Sequence, residues 1–226
     1  QTSLLLIKQT FIYLTAYCAT VAPMDGLMAR KVGSVGAETA DKVRQTALFL
    51  FARHGYAAVS MRQIARQIDL QAGAIYNHFP TKQQLLRDLL VSHMERLLAA
   101  WEAEKVEELS AGDALIAFVR FHIRYHTQRG EEVFISYMEL RNLEKENFRD
   151  IEALRKRYEK GLQNILERGV ADGTFRISDP RVTTMALIAM LTGVTNWYRR
   201  DGRLSLGEIE ALYVGMISGT VGLKEV

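Results

Sequence analysis

Apolar residues recur at helical spacing along most of the chain. In residues 39–54 the apolar positions fall on one helical face, which carries Val43, Ala47, Leu50 and Phe51, and Gly55 is placed to end the helix. A second, short helix is predicted to begin at Ser60, which stands three residues before Gln63 in the pattern of a capping box. Its apolar face comprises Met61, Ile64, Ala65 and Ile68. A third and very short helix is predicted at residues 71–78.

The remaining sequence has longer helical periods and no stretch whose strict alternation would indicate a strand. After Pro80 and Thr81 a fourth helix is predicted over residues 82–108. Five more follow, at about 111–128, 131–141, 147–170, 179–199 and 205–221, with Gly130, Gly173 and Asp201-Gly202 as stops or turns. The pattern therefore predicts an all-α protein with three small helices followed by six longer ones.

Composition adds a charge asymmetry to this plan. The chain has 226 residues, of which 48% are hydrophobic and 24% charged, with a net charge of +3. Residues 30–82 hold eight Lys and Arg against three Asp and Glu, whereas the rest of the chain after residue 82 is mildly acidic. A basic N-terminal part and an acidic C-terminal part favour a nucleic-acid-binding domain joined to a second domain. A chance fluctuation in the distribution of charge is the plainer alternative. The single cysteine, Cys18, excludes a disulfide framework and a zinc site built from several cysteines, and fits a reducing compartment.

Residues 4–22 are apolar apart from Lys8, Gln9 and a few hydroxyl side chains. A signal peptide or a membrane anchor is one interpretation, but no basic segment precedes the stretch and Pro23 follows its best cleavage position. Met24 and Met28 are alternative starts. We therefore interpret residues 1–36 as an extension followed by a flexible arm, and expect a cytoplasmic protein without a membrane role.

Two short helices joined by a tight turn form a helix-turn-helix, whose second helix fits the major groove of double-stranded DNA. Glutamine can bond the N6 and N7 edge of adenine, and alanine can contact a thymine methyl group. Polar residues nearby are suited to phosphates, together with the backbone amides at the start of the second helix. The expected DNA-binding residues are Ser60, Arg62, Gln71, Ala72, Gly73, Ala74, Tyr76, Asn77, His78 and Lys82. Phe79 is expected to be a core residue.

The run S-M-R-Q-I-A-R-Q-I-D-L-Q-A-G-A-I-Y-N-H-F-P-T-K-Q-Q-L-L, from Ser60 to Leu86, resembles the helix-turn-helix of TetR/AcrR regulators. The preceding A-L-F-L-F-A-R-H-G-Y resembles the end of their first helix. Where the family turn usually has A-G-V-S, this chain has Ile68-Asp69-Leu70-Gln71, and the turn is retained because Asp69 can take the left-handed conformation with some strain. The resemblance implies a DNA-binding domain at 37–82, a helical ligand-binding and dimerisation domain at 83–226, and a ligand that moves the fourth helix.

The second domain contains large apolar and polar side chains that could line a ligand pocket, although ordinary helical core is the plainer alternative for each. The candidates are Phe118, Phe121, His122, Tyr125, Phe134, Tyr137, Met138, Arg141, Met190, Asn196 and Trp197. Three segments resemble the subgroup of these regulators that senses acyl-CoA thioesters of fatty-acid, aromatic or steroid catabolism. They are Y-M-E-L-R-N-L, R-D-I-E-A-L-R-K-R-Y-E and G-V-T-N-W-Y-R-R-D-G-R-L-S. The phosphates of a CoA ligand would need cations to bind them, for which the candidates are Arg141, Arg155, Lys156, Arg157, Arg199 and Arg200.

The last two helices have broad apolar faces, with Met185, Ile188, Leu191 and Val194 on one and Ile209, Leu212, Met216 and Val221 on the other. Two such helices from each subunit would form a four-helix bundle, so a homodimer is expected. His122 and His126 share a helical face at a metal-compatible spacing, but two histidines do not make a site, and no cofactor is expected.

The expected function is a ligand-responsive transcriptional regulator, usually a repressor, that leaves a palindromic operator when an effector binds. Alternatives are a regulator of efflux or stress genes that senses a drug-like ligand, and an architectural DNA-binding protein. An enzyme is disfavoured, because the sequence has no nucleophile elbow, phosphate loop or catalytic metal motif.

Overall fold

A computed structural model describes residues 35–223, in which every regular element is a helix. The chain divides into two compact units, one ending at Lys82 and the other beginning at Gln83. The expected N-terminal extension and most of the expected arm lie outside the described residues. The α-helices are α1 (Val35–His54), α2 (Met61–Gln67), α3 (Ala72–Tyr76), α4 (Lys82–Glu102), α5 (Ala111–Thr127), α6 (Gly130–Met138), α7 (Lys145–Ala171), α8 (Pro180–Thr192), α9 (Val194–Trp197) and α10 (Leu206–Val221).

The first unit consists of three helices, and two of the turns between them contain a residue in the left-handed backbone conformation. Gly55 ends α1 at φ 80°, a conformation that costs glycine nothing. Ser60 caps α2 in the expected capping box, since its hydroxyl accepts from Gln63 N while Gln63 Oε1 accepts from Ser60 N. Asp69, at φ 55° between α2 and α3, takes the left-handed conformation that the sequence allowed for it. Ile64 and Ile75 from the two helices are fully buried, which fixes how α2 and α3 pack.

The second unit packs its helices around α5, which contacts α7, α8, α9 and α10. The aromatic side chains Trp101, Phe118 and Tyr158 form a cluster inside it, with Trp101 and Phe118 edge to face at 4.9 Å. Glu210 of α10 is 4% exposed and accepts two hydrogen bonds from Arg124 of α5, both at 2.6 Å. This paired charge satisfies a carboxylate that would otherwise be costly to bury.

Several helix bounds differ from the sequence prediction for local reasons. The fourth helix ends at Glu102 rather than near residue 108, because Lys105 takes the left-handed conformation at φ 50° before a 3₁₀ turn at Val106–Glu108. The helix predicted over 131–141 ends at Met138 and continues as a 3₁₀ turn at Leu140–Asn142. The helix predicted over 179–199 is two helices, α8 and α9, which meet at Gly193.

Only part of the apolar surface that was expected to form the dimer interface is exposed. Ile188, Leu191 and Val194, and likewise Ile209 and Val221, are buried within the subunit, so their expected place on an outer face is wrong. These helices use one side of their apolar surface for the subunit core. Met185, Leu212 and Met216 remain exposed, and Val182 joins them. Among residues 35–223 no helix combines the length and the apolarity needed to cross a membrane.

Candidate functional site

The face formed by α3 presents short side chains and unused hydrogen-bonding groups. Gln71 stands at the N-cap of α3 with an extended backbone, yet its side chain makes no capping bond and is exposed. A Cβ atom added at Gly73 would meet nothing within 4 Å, so the surface there is open. Tyr76 is 45% exposed and Asn77 is exposed beside it. Phe79 is 4% exposed and therefore belongs to the core, as expected.

Two arginines extend this face along α2. Arg62 and Arg66 are both exposed and make no ion pair with another described residue. They line a shallow depression together with Asp69 and Gln71. The depression thus has two exposed cations, one carboxylate and one amide at its rim, a combination that can hold a phosphate backbone and contact a base edge.

Lys82 has a structural role that the sequence did not reveal. Its ammonium donates to the carbonyl oxygens of Tyr56 at 2.8 Å and Val59 at 2.7 Å, and lies 4.0 Å from the centroid of the Tyr56 ring. These contacts fix the loop that leads into α2. Lys82 was expected to bind a phosphate, but in the structure its charge is directed at the protein's own backbone.

The second unit contains a small cavity bordered by α4, α6, α7 and α8 and by the end of α5. Its volume is about 20 Å³, enough for roughly one water-sized group. The lining residues combine polar and apolar chemistry and are His93, Met94, Leu97, His126, Ser136, Tyr137, Arg155, Tyr158, Glu159 and Ile188. Tyr137 is 40% exposed, so the cavity reaches the surface beside α6.

A chain of hydrogen bonds runs through the core next to this cavity. His122, which is fully buried, contacts the Tyr158 hydroxyl through Nδ1 and the Thr192 hydroxyl through Nε2, each at 3.1 Å. The Tyr137 hydroxyl then contacts Thr192 Oγ1 at 3.1 Å. Burial, with a smaller effect from His126, lowers the pKa of His122 well below its ordinary value, so its ring is neutral. This series of hydrogen bonds connects α5, α6, α7 and α8.

His126 lies one turn after His122, and the two rings stack with centroids 3.8 Å apart. Its Nδ1 lies 2.9 Å from the carbonyl oxygen of His122. Burial, followed by the charge of His93, lowers the pKa of His126 to about 3, so this ring is also neutral near pH 7.

A second polar group surrounds His93 on the α4 side of the cavity. His93 Nδ1 lies 2.9 Å from Glu132 Oε2, which also accepts from Arg96 at 2.9 Å. Burial alone would raise the pKa of Glu132, but the hydrogen bond from His93 and the nearby Arg96 lower it overall. The Tyr125 ring lies 6.2 Å from that of His93, and its hydroxyl is buried without a hydrogen-bond partner among residues 35–223.

The basic segment at residues 155–157 separates into one cavity residue and two surface residues. Lys156 pairs with Glu152 at 2.9 Å, and Arg157 pairs with Glu102. Arg155 instead lies over the Tyr137 ring, 4.6 Å from its centroid, and reaches the Ser136 carbonyl only at 3.4 Å. It makes no ion pair within residues 35–223 and lines the cavity.

Of the expected ligand-binding residues, Tyr137 lines this cavity, while Phe118, Phe121, His122 and Tyr125 form the buried layer beneath it. Others lie on the surface and are not brought to the cavity, namely Met138, Arg141, Asn196 and Trp197, the last stacked on Tyr213. Phe134 and Met190 are half-buried.

Sequence analysis missed His93, Tyr158 and Ser136. A signal for His93 existed, because it occupies an apolar position in the helical period of α4 between Leu89 and Leu97. Tyr158 has a similar position in α7, between Ile151 and Ile165, but a tyrosine in an apolar stripe is usually core. No group of three His, Cys, Asp or Glu side chains within the described residues is arranged to hold a metal ion.

Helix α4 is also attached to the segment that joins α6 and α7. The Gln83 side chain donates to the Asn142 carbonyl at 2.7 Å and accepts from the Glu144 amide at 3.0 Å. Arg87 donates twice to Asp150 Oδ2, at 2.8 and 2.6 Å. The helix that carries His93 is therefore bonded, near its first turns, to the ends of the helices that carry Tyr137 and Arg155.

Comparison with known proteins matches both units to family models. Residues 44–89 match the model described as bacterial regulatory proteins of the tetR family, and residues 108–221 match a tetracyclin repressor-like C-terminal domain. The first match includes the helix-turn-helix, and the second includes the helices of the second unit from α5 to α10.

Similar proteins are regulators rather than enzymes. The transcriptional repressor KstR2 of Mycolicibacterium smegmatis is 26% identical over 196 residues, which are 86% of this chain and 96% of that protein. A tetR-family regulatory protein from Rhodococcus RHA1 has 28% identity and a TM-score of 0.79, covering 83% of this chain and 99% of that one.

A second similar structure was solved with a coenzyme A thioester and operator DNA. AibR in complex with isovaleryl coenzyme A and operator DNA has 27% identity and a TM-score of 0.72, covering 78% of this chain and 96% of that one. The helix-turn-helix, the helical second unit and both family models lead to one conclusion: this chain belongs to the TetR family of bacterial transcriptional regulators.

Proposed function

We propose that this regulator is a cytoplasmic repressor that binds a palindromic operator as a homodimer and is released by a small acyl ligand, with an acyl-CoA thioester as the favoured class. The observation that supports the ligand proposal is the cavity on α4, α6 and α7, where Arg155 makes no ion pair with another described residue and His126 is neutral. An unpaired arginine beside polar and apolar groups suits a carbonyl or carboxylate oxygen joined to an apolar chain.

DNA contact is proposed for the exposed face of the first unit. Gln71 would contact a base edge, because its amide is exposed and makes no hydrogen bond within the described residues. Arg62 and Arg66 would hold phosphates, together with Tyr76 and Asn77. Ser60, Ala72, Gly73, Ala74 and His78 remain proposed contacts. For Lys82 we propose instead that its main contribution is to hold the loop through Tyr56 and Val59.

The DNA half is tested by operator selection followed by substitution. Fragments selected from genomic DNA should contain a near-palindrome, and Gln71→Ala should cost roughly 1–3 kcal/mol at one base pair in each half-site. Arg66→Ala is the matched control, because a phosphate contact should weaken binding to all sequences alike. An equal loss on every sequence for Gln71→Ala would remove its base-contacting role.

The coupling between ligand and DNA is proposed to run through α4. This helix lines the cavity with His93, Met94 and Leu97 and begins at Lys82, which is bonded to the loop before α2. A ligand larger than the 20 Å³ cavity must displace some of its lining. A displacement of α4 would then reach the loop through Lys82, and the ligand would favour one conformation by its differential affinity.

The thioester class has one supporting comparison and one supporting contact. The similar protein AibR was crystallised with isovaleryl coenzyme A. In this chain the cavity opens beside Tyr137, next to Arg155. The phosphates of the CoA portion would be bound by the other candidate cations, Arg141, Arg199 and Arg200. Lys156 and Arg157 are less suited to this role, because each already forms an ion pair with a glutamate.

Calorimetry with an acyl-CoA series, the matched free acids and CoA alone tests this class. Thioesters should bind about tenfold or more tightly than their acids, since one net charge-assisted contact is expected. Binding of acids or drug-like compounds, with no response to any thioester, would reject the thioester and favour the efflux-type regulator.

Dimerisation is proposed through the exposed apolar side chains of α8 and α10. Val182 and Met185 are 55% and 52% exposed, and Leu212 and Met216 are 54% and 49% exposed. Two helices that each bury one apolar side within the subunit and expose another suit a four-helix bundle with a second copy of the chain.

A further inference from the structure

The cavity of the second unit has one polar atom whose hydrogen-bonding sense is fixed by its surroundings. His126 Nδ1 lies 2.9 Å from the backbone carbonyl of His122. A carbonyl oxygen can only accept, so Nδ1 carries the proton. The ring is neutral, and Nε2 is therefore an unprotonated acceptor.

This acceptor has no partner among the residues that the structure describes. Nε2 makes no hydrogen bond within residues 35–223, although His126 is only 3% exposed and lines the cavity. Its stacked neighbour, His122, differs in this respect because both its ring nitrogens are bonded. Nε2 is not sealed from the cavity, so a ligand group that donates a hydrogen bond can reach it.

Two hydroxyl groups at the cavity are engaged elsewhere. The Ser136 hydroxyl donates to the Val133 carbonyl, and the Tyr158 hydroxyl is within bonding distance of His122. A metal ion is not favoured, because no third suitable ligand joins His93 and His126 in the described part of the chain. The buried Tyr125 hydroxyl, on a ring 6.0 Å from that of His126, also lacks a partner.

We propose that His126 is a specificity-determining residue that selects ligands carrying a hydroxyl group, whose O–H donates to Nε2, on the acyl chain near the carbonyl. A hydroxyl fits the cavity volume of about 20 Å³ and can at the same time accept a hydrogen bond. Arg155, on the same cavity, would hold the neighbouring carbonyl oxygen. This inference rests on the proposed acyl ligand and adds the substituent that the ligand must carry.

The test uses three matched acyl groups, 3-hydroxyoctanoyl, 3-oxooctanoyl and octanoyl, each as a CoA thioester and as a free acid. Dissociation constants are measured by calorimetry for the full chain. The hydroxy compounds should bind about tenfold or more tightly than the saturated ones, and the oxo compounds, which cannot donate, should gain nothing.

His126→Phe should abolish the preference, and His126→Gln, which keeps an acceptor, should restore part of it. His54→Phe is the matched control, because His54 is exposed at the end of α1 and the preference should persist. Thermal melting checks that each variant is folded.

The outcomes separate this inference from the proposed function. Thioesters that bind without a hydroxyl preference, or a preference that survives in folded His126→Phe, overturn the role of His126 and leave the acyl-CoA regulator intact. A hydroxyl preference confined to the free acids supports His126 and rejects the thioester. No binding by any of the six compounds overturns the hydroxyacyl proposal, while operator binding is unaffected as evidence for the regulator.

Discussion

Single residues in this protein show how burial decides the state of a titratable group. His122 and His126 stand on the same helix, and both are held neutral by removal from water. Tyr158, fully buried beside them, has its pKa raised well above its ordinary value, also mainly by burial. The cavity is therefore lined by neutral His126 and Tyr158, together with the charged side chains Arg155 and Glu159.

The buried histidines make stability depend on pH. The pKa of His126 is about 3 in the folded protein, below the ordinary value of 6.5, so between these values the unfolded chain binds a proton that the folded chain does not. The free energy of unfolding should therefore fall as the pH drops below 6.5, by up to about 1.4 kcal/mol per pH unit for each such histidine. Urea unfolding between about pH 7 and about pH 5 measures this slope. His126→Phe should make it shallower, and an unchanged slope would contradict the assignment.

Substitution of Lys82 should lower stability, whereas substitution of Arg66 should lower only the affinity for DNA. Lys82→Met removes the bonds to Tyr56 and Val59, so the melting temperature should fall before any DNA is added. Arg66→Met, at an exposed position without an ion pair, should leave melting unchanged and reduce the salt slope of DNA binding by about one unit. Unchanged melting of Lys82→Met would show that the loop does not need its ammonium.

At the scale of elements, the helix-turn-helix could be predicted closely from the sequence, whereas the cavity of the second unit could not. Ser60, Gln63, Gly55 and Asp69 act through neighbours in sequence, so their roles follow from local spacing. The cavity depends on which face of each long helix turns inward, and apolar residues occur on several faces. Helix ends such as Glu102 and Thr192 were also missed, because Lys105 and Gly193 are not strong stop signals in an otherwise helical pattern.

The end of α7 provides an element-scale prediction. A Cβ atom on Gly169 would lie 2.1 Å from Cδ2 of Phe175, whose ring is 3% exposed and cannot move aside freely. Gly169→Ala should therefore lower the free energy of unfolding by about 1–3 kcal/mol. Gly207→Ala in α10 is the control, since nothing lies within 4 Å of its added Cβ, and stability should stay the same or rise. Equal stability of the two variants would mean that Phe175 does not pack on Gly169.

At the scale of the whole molecule, the exposed apolar side chains of α8 and α10 should place two subunits together. Leu212→Glu or Met216→Glu would bury a charge in that interface, so the dimer should dissociate at micromolar concentration in sedimentation velocity. Leu109→Glu is the control, because Leu109 is also exposed, at 40%, but belongs to neither helix. A monomeric unmodified protein would reject the proposed dimer.

The most direct test of the central claim is operator binding measured by fluorescence anisotropy, against unrelated competitor DNA, as a panel of acyl-CoA thioesters is titrated. The account predicts binding that selects the operator over competitor and is lost when a thioester saturates the second unit. The same release should shift to higher concentration when operator is in excess, because the coupling is reciprocal. Binding that does not distinguish operator from competitor, and does not respond to any compound, would contradict a ligand-responsive repressor and indicate an architectural DNA-binding protein.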